Sequence, residues 1–323
     1  MARIAGWLRG NVDGVVALLL AVCIAILGAV DVLGTGATNN AILLVLAVLA
    51  TTLLRDRTTA NTVEHDVREL KAGQSELRHE LAGARDALEQ MSMIRILATQ
   101  EVGPALAEAR RDTDRWYFKG GTGTYIRAVT LPECVAMARR EKRELTVRLE
   151  IIDPTNEVVC GNYARFRHSL SHGPDGIGEL WTLDRTRKES FATVLAACWY
   201  RQRYELLNVE VGLSTVMSTF RWDLSSKHLI VTQEDSRTPA MLIERGKVFY
   251  DRFRTELHTS LEQVRRLPIT KAALAVPLSN EPTIDQVHRL FDELELPIPN
   301  SFTDRDMADI VRRAIRPRNP YQT

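Results

Sequence analysis

The sequence has few of the residue patterns that mark metal or redox chemistry. Its four cysteines form no Cys-x-x-Cys pair and match no histidine spacing, so neither a zinc site nor a redox motif is indicated. His168 and His172 are four residues apart, which on a helix places both on one face, yet no third ligand is marked nearby. We therefore expect no metal, no cofactor and four reduced, mostly buried thiols. These are Cys23, Cys134, Cys160 and Cys198.

An excess of either charge is also missing. Among 323 residues, 42 Lys and Arg balance 41 Asp and Glu, giving a net charge of +1. Nucleic-acid binding proteins carry a basic face, so we expect no nucleic-acid partner. The length and the 45% hydrophobic content predict one ordinary globular domain with small appendages.

Charge is almost absent from two apolar runs near the N-terminus. The first covers Gly14 to Val30 without a charge and continues to Gly34 with only Asp31 interrupting, and the second covers Ala37 to Leu54. Each approaches the roughly 20 residues that cross a bilayer. We predict a transmembrane helical hairpin, with residues 1–57 as a two-helix anchor and the lipid bilayer as its partner.

Four arginines flank this hairpin and none lies within its turn. Because basic residues favour the cytoplasmic side, they predict a multi-pass protein of the cell membrane whose later residues are cytoplasmic. The alternative is a cleaved secretory signal, since small residues around Gly34 to Ala37 also fit a cleavage site. The second apolar run argues against it. The flanking residues are Arg3, Arg9, Arg55 and Arg57.

Residues 58–103 are predicted to form a coiled-coil stalk. From Asn61 to Met91 the chain has no proline, and apolar residues recur in heptads whose only polar core position is Gln74. This pattern favours a parallel homodimer, whereas one amphipathic helix packed on the domain is the alternative, supported by Gly73 and Gly83. The d positions are Val63, Leu70, Leu77, Ala84 and Met91, and the apolar a positions are Val67, Leu81 and Leu88.

Residues 104–266 have the mixed pattern of an α/β domain. Trp116 to Phe118 is typical of a strand, Thr130 to Glu133 of a capping box that opens a helix, and Leu145 to Ile151 of a second strand. This order predicts a βαβ unit with parallel strands. A long amphipathic helix from Asp184 to Leu207 is expected next.

Three alternating runs then predict three strands, the later ones antiparallel because their connections are short. A helix follows from Gly246. Residues 267–323 are rich in proline and contain two short amphipathic helices, opened by caps at Thr283 and Thr303. We predict a small helical C-terminal appendage docked on the main domain.

The strongest candidate for a ligand site is the glycine-rich loop after the first strand, since glycines let backbone N–H groups approach a phosphate. Asp153 ends the neighbouring strand and is expected to face the same crevice. The spacing is not Gly-x-Gly-x-x-Gly, so a plain loop is the alternative. The predicted ligand-binding residues here are Gly120, Gly121, Gly123, Thr124 and Asp153.

From Trp116 to Arg266 the chain resembles one lobe of the phospholipase D-like superfamily. The resemblance lies in the order of elements and in Ser225-Ser-Lys-His-Leu-Ile-Val-Thr232. The family motif His-x-Lys-x4-Asp supplies a nucleophile, a phosphate-binding lysine and an orienting aspartate. Lys227 matches and is expected to bind phosphate, although an ordinary solvated strand residue is the alternative for this lysine. Ser225 and Thr232 replace the histidine and the aspartate, so the resemblance implies a degenerate motif without catalysis.

The leading hypothesis is a membrane-tethered cytoplasmic sensor or effector whose mixed-sheet α/β domain binds a ligand or partner without catalysis, a phosphate-bearing ligand being one candidate. A phosphodiesterase or phospholipase-like enzyme with an altered motif is the second hypothesis. A nucleotide-binding module unrelated to phospholipase D is the third.

Overall fold

The computed structural model describes residues 23, 46, 49, 70–83, 93–170, 180–235 and 237–320. The chain divides into two compact units, Met1–Leu88 and Glu89–Thr323. Nearly all of the predicted membrane hairpin and much of the predicted stalk lie outside the described residues. In the part of the chain that is described, no helix combines the length and the apolar character needed to cross a membrane.

In the first unit, residues 70–83 are helical. Every residue of this segment is exposed, including Leu70, Leu77 and Leu81, whose exposed fractions are 73%, 58% and 61%. These leucines occupy predicted a and d positions. A single copy of the segment therefore leaves its apolar stripe in water.

The second unit is built on a mixed sheet of eight strands in the order β1-β7-β6-β5-β2-β3-β4-β8. The strands are β1 Arg95–Leu97, β2 Arg115–Lys119, β3 Leu145–Ile152, β4 Leu207–Ser214, β5 Phe220–Ser225, β6 His228–Gln233, β7 Ala240–Glu244 and β8 Arg265–Leu267. This architecture confirms the α/β class and the mixed sheet predicted from the sequence.

The central strands β2, β3 and β4 run parallel, so the predicted parallel βαβ unit is confirmed. β6 is antiparallel to β5, as the short connection between them indicated, and β5 is also antiparallel to β2. We call the side of the sheet where β2, β3 and β4 end the carboxyl edge, and the opposite side the amino edge. The short strands β1, β7 and β8 were not predicted.

Eight α-helices lie around the sheet in the described part of this unit. They are α1 Thr99–Arg110, α2 Leu131–Glu141, α3 Glu157–Leu170, α4 Leu183–Arg203, α5 Val248–Gln263, α6 Ile269–Ala275, α7 Ile284–Glu293 and α8 Asp304–Ile315. The capping box at Thr283 is present, with Gln286 donating its backbone N–H to the threonine side chain. At α8, the backbone N–H of Thr303 donates to Asp306 at 2.8 Å.

The expected capping box at Thr130 is wrong. Thr130 has helical backbone angles and makes no side-chain cap hydrogen bond, because a π-helical turn, Ile126–Thr130, runs directly into α2. Glu133 accepts a hydrogen bond from Arg110 at 2.6 Å instead of capping the helix. The helical backbone therefore begins next to the glycine loop rather than seven residues beyond it.

Two apolar clusters pack on opposite faces of the sheet. In β6, Ile230 belongs to the larger cluster, whereas Leu229 and Val231 belong to a smaller one under α5. This alternation follows the two-residue period of a strand. The larger cluster includes the apolar faces of α7 and α8, with Phe291 and Met307 buried against the rest.

Candidate functional site

The glycine loop follows β2 at the carboxyl edge, and its residues Gly120 to Gly123 are buried. The carbonyl of Gly121 accepts a hydrogen bond from the N–H of Ile152 at 3.1 Å. A Cβ atom at Gly121 would overlap the ring of Tyr163, and one at Gly120 would approach Arg221. The space beside these two glycines is therefore occupied by side chains of the protein itself, those of Tyr163 and Arg221.

The loop leads directly into a helix. Gly123 has φ +73°, a left-handed conformation that favours glycine. Its carbonyl accepts a hydrogen bond from the N–H of Arg127 at 2.9 Å. Thr124 contacts the hydroxyl of Thr122 at 2.9 Å and donates to Glu189 at 3.1 Å. The helix dipole thus places positive potential beside the loop.

Glu189 of α4 is the centre of a buried ionic cluster and is 1% exposed. Its Oε2 forms an ion pair with Arg127, its Oε1 forms one with Arg313, and Arg185 lies 4.0 Å away. Burial raises the pKa of Glu189, but the nearby arginines outweigh it and lower that pKa to about 2. The carboxylate is therefore ionised at neutral pH and holds the loop against α4.

A second buried carboxylate, Glu234, lies just after β6. It pairs with Arg167 and lies 3.7 Å from Arg221, and it accepts a hydrogen bond from the hydroxyl of Tyr163 at 2.8 Å. Burial raises the pKa of Glu234, but Arg221 and Arg167 outweigh this effect and the net pKa is lowered. The side chains of Arg167 and Arg221 keep 16% and 15% exposure, so solvent reaches both.

Trp181 joins the two clusters. The guanidinium carbons of Arg185 and Arg167 lie 4.2 and 4.7 Å from its ring centroid, and the ring of Tyr163 meets it edge-on at 5.5 Å. Guanidinium groups are attracted to the face of an indole ring. The carboxyl edge therefore gathers arginines from α3, α4, β5 and α8 around the loop.

Asp153 also lies at the carboxyl edge, but it is turned toward its own chain. Its Oδ1 accepts hydrogen bonds from the N–H and the hydroxyl of Thr155 at 2.8 and 2.6 Å, and the residue is 5% exposed. These contacts shape the turn that leads into α3. Asp153 acts as a structural acceptor in this arrangement.

The degenerate motif is divided between the two edges of the sheet. Ser225 of β5 pairs with Trp116, near the start of β2. Thr232 of β6 pairs with Arg221, at the other end of β5, which lies beside the end of β2. Lys227 follows Ser225 in the β5–β6 turn and lies 3.6 Å from Asp112. At about 3.3 Å per strand residue, roughly 17 Å separate Lys227 from Thr232. The structure therefore does not bring Lys227 together with the glycine loop.

The hydroxyl of Ser225 is used by the turn. It accepts hydrogen bonds from the N–H groups of Lys227 and His228 at 3.2 and 3.0 Å and donates to the carbonyl of His228 at 3.2 Å. The hydroxyl of Thr232 accepts a hydrogen bond from Arg221 at 3.1 Å. His228 is half-buried at the amino edge, where burial lowers its pKa.

The cysteines of the α/β domain lie in its interior. Cys134, Cys160 and Cys198 are buried, and burial raises the pKa of each thiol to about 12. Across the described parts of the chain, no group of three or more His, Cys, Asp or Glu is arranged to hold a metal ion. His172 lies outside those residues.

Sequence reasoning identified the loop but not its charged partners. One signal was present, because Arg185, Glu189 and Thr193 recur every four residues and so share one face of α4, which is buried. A charged residue on such a face needs a partner. Nothing in the local sequence marked Arg313 as that partner, 124 residues away.

Comparison with known proteins assigns no family to this chain: no family model matches it, and no curated protein matches it significantly.

Proposed function

We propose that the chain is a membrane-tethered cytoplasmic sensor or effector whose α/β domain binds a phosphate-bearing ligand without turnover. The observation that carries the proposal is the concentration of guanidinium groups around the glycine loop at the carboxyl edge. Ligands of α/β sheets bind at this edge. Arginine is also well suited to phosphate, because its planar fork donates two parallel hydrogen bonds.

Arg221 and Arg167 are the residues expected to meet the ligand. Both keep some exposure, and both are oriented by Glu234, whose lowered pKa keeps it ionised. Arg221 is fixed further by its hydrogen bond to Thr232. Preorganised donors of this kind lose little conformational entropy when an anion binds.

The positions of the degenerate motif favour binding over catalysis. A phosphodiesterase of the phospholipase D-like type needs a histidine nucleophile beside the phosphate site, and position 225 carries serine. The Ser225 hydroxyl serves the β5–β6 turn, and His228 lies at the amino edge. Serine requires an adjacent base to act as a nucleophile, and among the described residues the hydroxyl of Ser225 contacts only backbone groups of Lys227 and His228.

The stalk and the anchor complete the proposal. Exposed leucines at a and d positions of residues 70–83 support pairing of this helix with a second copy in a parallel homodimer. The two apolar runs before it support attachment to the bilayer. In this arrangement, ligand binding in paired domains is transmitted along the stalk.

The test uses the full-length chain in lipid nanodiscs and calorimetric titration with inorganic phosphate, pyrophosphate and nucleoside mono-, di- and triphosphates. At least one of these should bind the wild type. Arg221→Gln should weaken that binding about 10- to 100-fold, since it removes a charge-assisted hydrogen bond. Arg111→Gln is the control, because Arg111 is a surface residue with 68% side-chain exposure.

Two results would contradict the proposal. If the wild type and Arg221→Gln bind the phosphate compound with equal affinity, the ligand does not bind at the carboxyl edge. Hydrolysis of the bound compound that disappears in Ser225→Ala or His228→Ala would replace binding by catalysis.

A further inference from the structure

We infer that the C-terminal helix α8 controls the conformation of the glycine loop, with Arg313 as a positioning residue that acts through Glu189. The loop and α8 hold different oxygens of one buried carboxylate. What the loop binds rests on the proposed function, whereas the coupling itself rests only on these contacts.

The geometry of Glu189 carries the inference. Its Oε2 pairs with Arg127 and accepts a hydrogen bond from Thr124, so this oxygen contacts the residues that directly follow the glycine loop. Its Oε1 pairs with Arg313 of α8. A carboxylate fixed on one side by α8 presents its other oxygen to Thr124 in one orientation.

Arg313 is itself held in place. Its Nε donates to Asp309 at 3.0 Å, one turn earlier on α8, and the side chain is 9% exposed. It therefore enters the cluster as a fixed donor. In a buried site, losing one partner of such a cluster disturbs the remaining groups strongly, since water cannot replace it.

Helix α8 reaches this position through two kinds of contact with the domain. Lys188 of α4 lies 2.5 Å from Asp306 and 3.7 Å from Asp309. Just before α8, the ring of Phe302 lies 6.2 Å from that of Phe191. The apolar face of α8 is buried in the main core through Met307, Ile310 and Ala314. Arg313 therefore reaches Glu189 only when α8 is packed on the domain.

Reciprocity follows from this shared residue. If docked α8 favours the ordered loop, then anything that orders the loop favours docked α8 by the same factor. A ligand at the loop would thus tighten the C-terminal helix, and a partner that draws α8 away would loosen the loop. This makes the C-terminal region a regulatory part of the site.

Hydrogen exchange of the full-length chain in nanodiscs, without added ligand, tests the coupling. Arg313→Gln should raise the exchange rate of amides in residues 120–130 about tenfold, within the usual range of coupling between sites. Arg312→Gln is the matched control, because Arg312 is a neighbour on α8 that pairs with Asp309 and is half exposed. It should leave the loop unchanged, and Arg313→Lys should restore part of the protection by returning the charge.

The inference is overturned if loop exchange is the same in Arg313→Gln and Arg312→Gln. It is also overturned if Arg313→Gln raises exchange equally in β3, β6 and the loop, because that pattern reports general destabilisation. A parallel titration with pyrophosphate separates the two proposals. Absence of binding in the wild type would contradict the proposed ligand class while the exchange data still decide the coupling.

Discussion

Tyr163 packs its ring against the backbone of Gly121, filling the space that any larger residue at position 121 would need. Its hydroxyl donates to Glu234 at 2.8 Å, and burial raises the pKa of that hydroxyl well above its usual value. The tyrosine thus remains a hydrogen-bond donor at all moderate pH values. This fit joins the glycine loop to the arginine cluster around Glu234.

Gly121→Ala is therefore expected to destabilise the domain by about 1–3 kcal/mol, the usual cost of overpacking a filled core. Urea unfolding of a fragment starting at residue 93 measures it. Gly161→Ala is the matched control, since its added methyl group meets only Arg165 at 3.8 Å. Because alanine suits a helix better than glycine, the control should be neutral or slightly stabilised. Equal stability of the two variants would contradict the fit.

The buried carboxyl of Asp223 predicts that the stability of the domain depends on pH in the mildly acidic range. Burial raises its pKa from 3.8 to about 6, against the opposing effects of Arg221, the Trp116 hydrogen bond and Arg110, while Glu234 raises it further. Between pH 4 and 6 the folded protein binds this proton more tightly than the unfolded chain does. Stability from this group is therefore gained as the pH falls through 6, by about 3 kcal/mol at most.

The measurement compares the unfolding free energy of the wild-type fragment with that of Asp223→Asn from pH 7.5 to pH 4. The wild type should gain stability relative to the variant as the pH falls. Asp251→Asn serves as the control substitution at an exposed site, because the Asp251 side chain is 60% exposed. A difference between wild type and Asp223→Asn that stays flat over this range would contradict the assignment.

Glu189→Gln should cost about 3–5 kcal/mol, because it leaves buried guanidinium groups without their carboxylate. Since the pKa of Glu189 is lowered from 4.5 to about 2, its ionic contribution is complete above about pH 4.5, is partly lost at pH 3 and is gone once the pH has fallen through 2. Urea unfolding at pH 7 and pH 3 measures both parts. Glu281→Gln, on an exposed pair with Arg316, should change stability by less than about 0.5 kcal/mol. A Glu189→Gln variant as stable as the wild type would contradict a stabilising role for the ionic cluster around Glu189.

Leu77→Pro should abolish dimerisation of a fragment starting at Thr58. Proline costs about 3 kcal/mol inside a helix, and residue 77 lies within helical residues 70–83. Sedimentation equilibrium at micromolar concentration reports the oligomeric state. Glu76→Ala, at an outward heptad position, should remain dimeric. A monomeric wild-type fragment would contradict the stalk.

The membrane topology is tested by cysteine labelling of intact cells in a Cys23→Ala background. Thr38→Cys in the hairpin turn should react with an impermeant maleimide, because the arginine distribution places this turn outside. Ser301→Cys should react only after the cells are opened. Labelling of position 301 in intact cells would reverse the topology.

The part of the site that could be predicted was the part with a local signal. The glycine loop was identified because its composition is unusual after a strand, and the βαβ unit because strand and helix periods alternate there. The helix start was misplaced at Thr130, since Thr-x-x-Glu resembles a cap wherever it occurs. The preceding turn and the contact between Glu133 and Arg110 decided otherwise.

By itself, the sequence determined the α/β class, the parallel central strands and the cap at Thr283, because each depends on the periodicity or chemistry of neighbouring residues. Only the tertiary structure decided that Lys227 lies at the edge opposite the glycine loop, that Tyr163 fills the space beside Gly121, and that Arg313 shares Glu189 with Thr124. These relationships join residues far apart in the chain. Their energies come from burial and from low-dielectric ion pairing, which exist only after the sheet and its helices have packed.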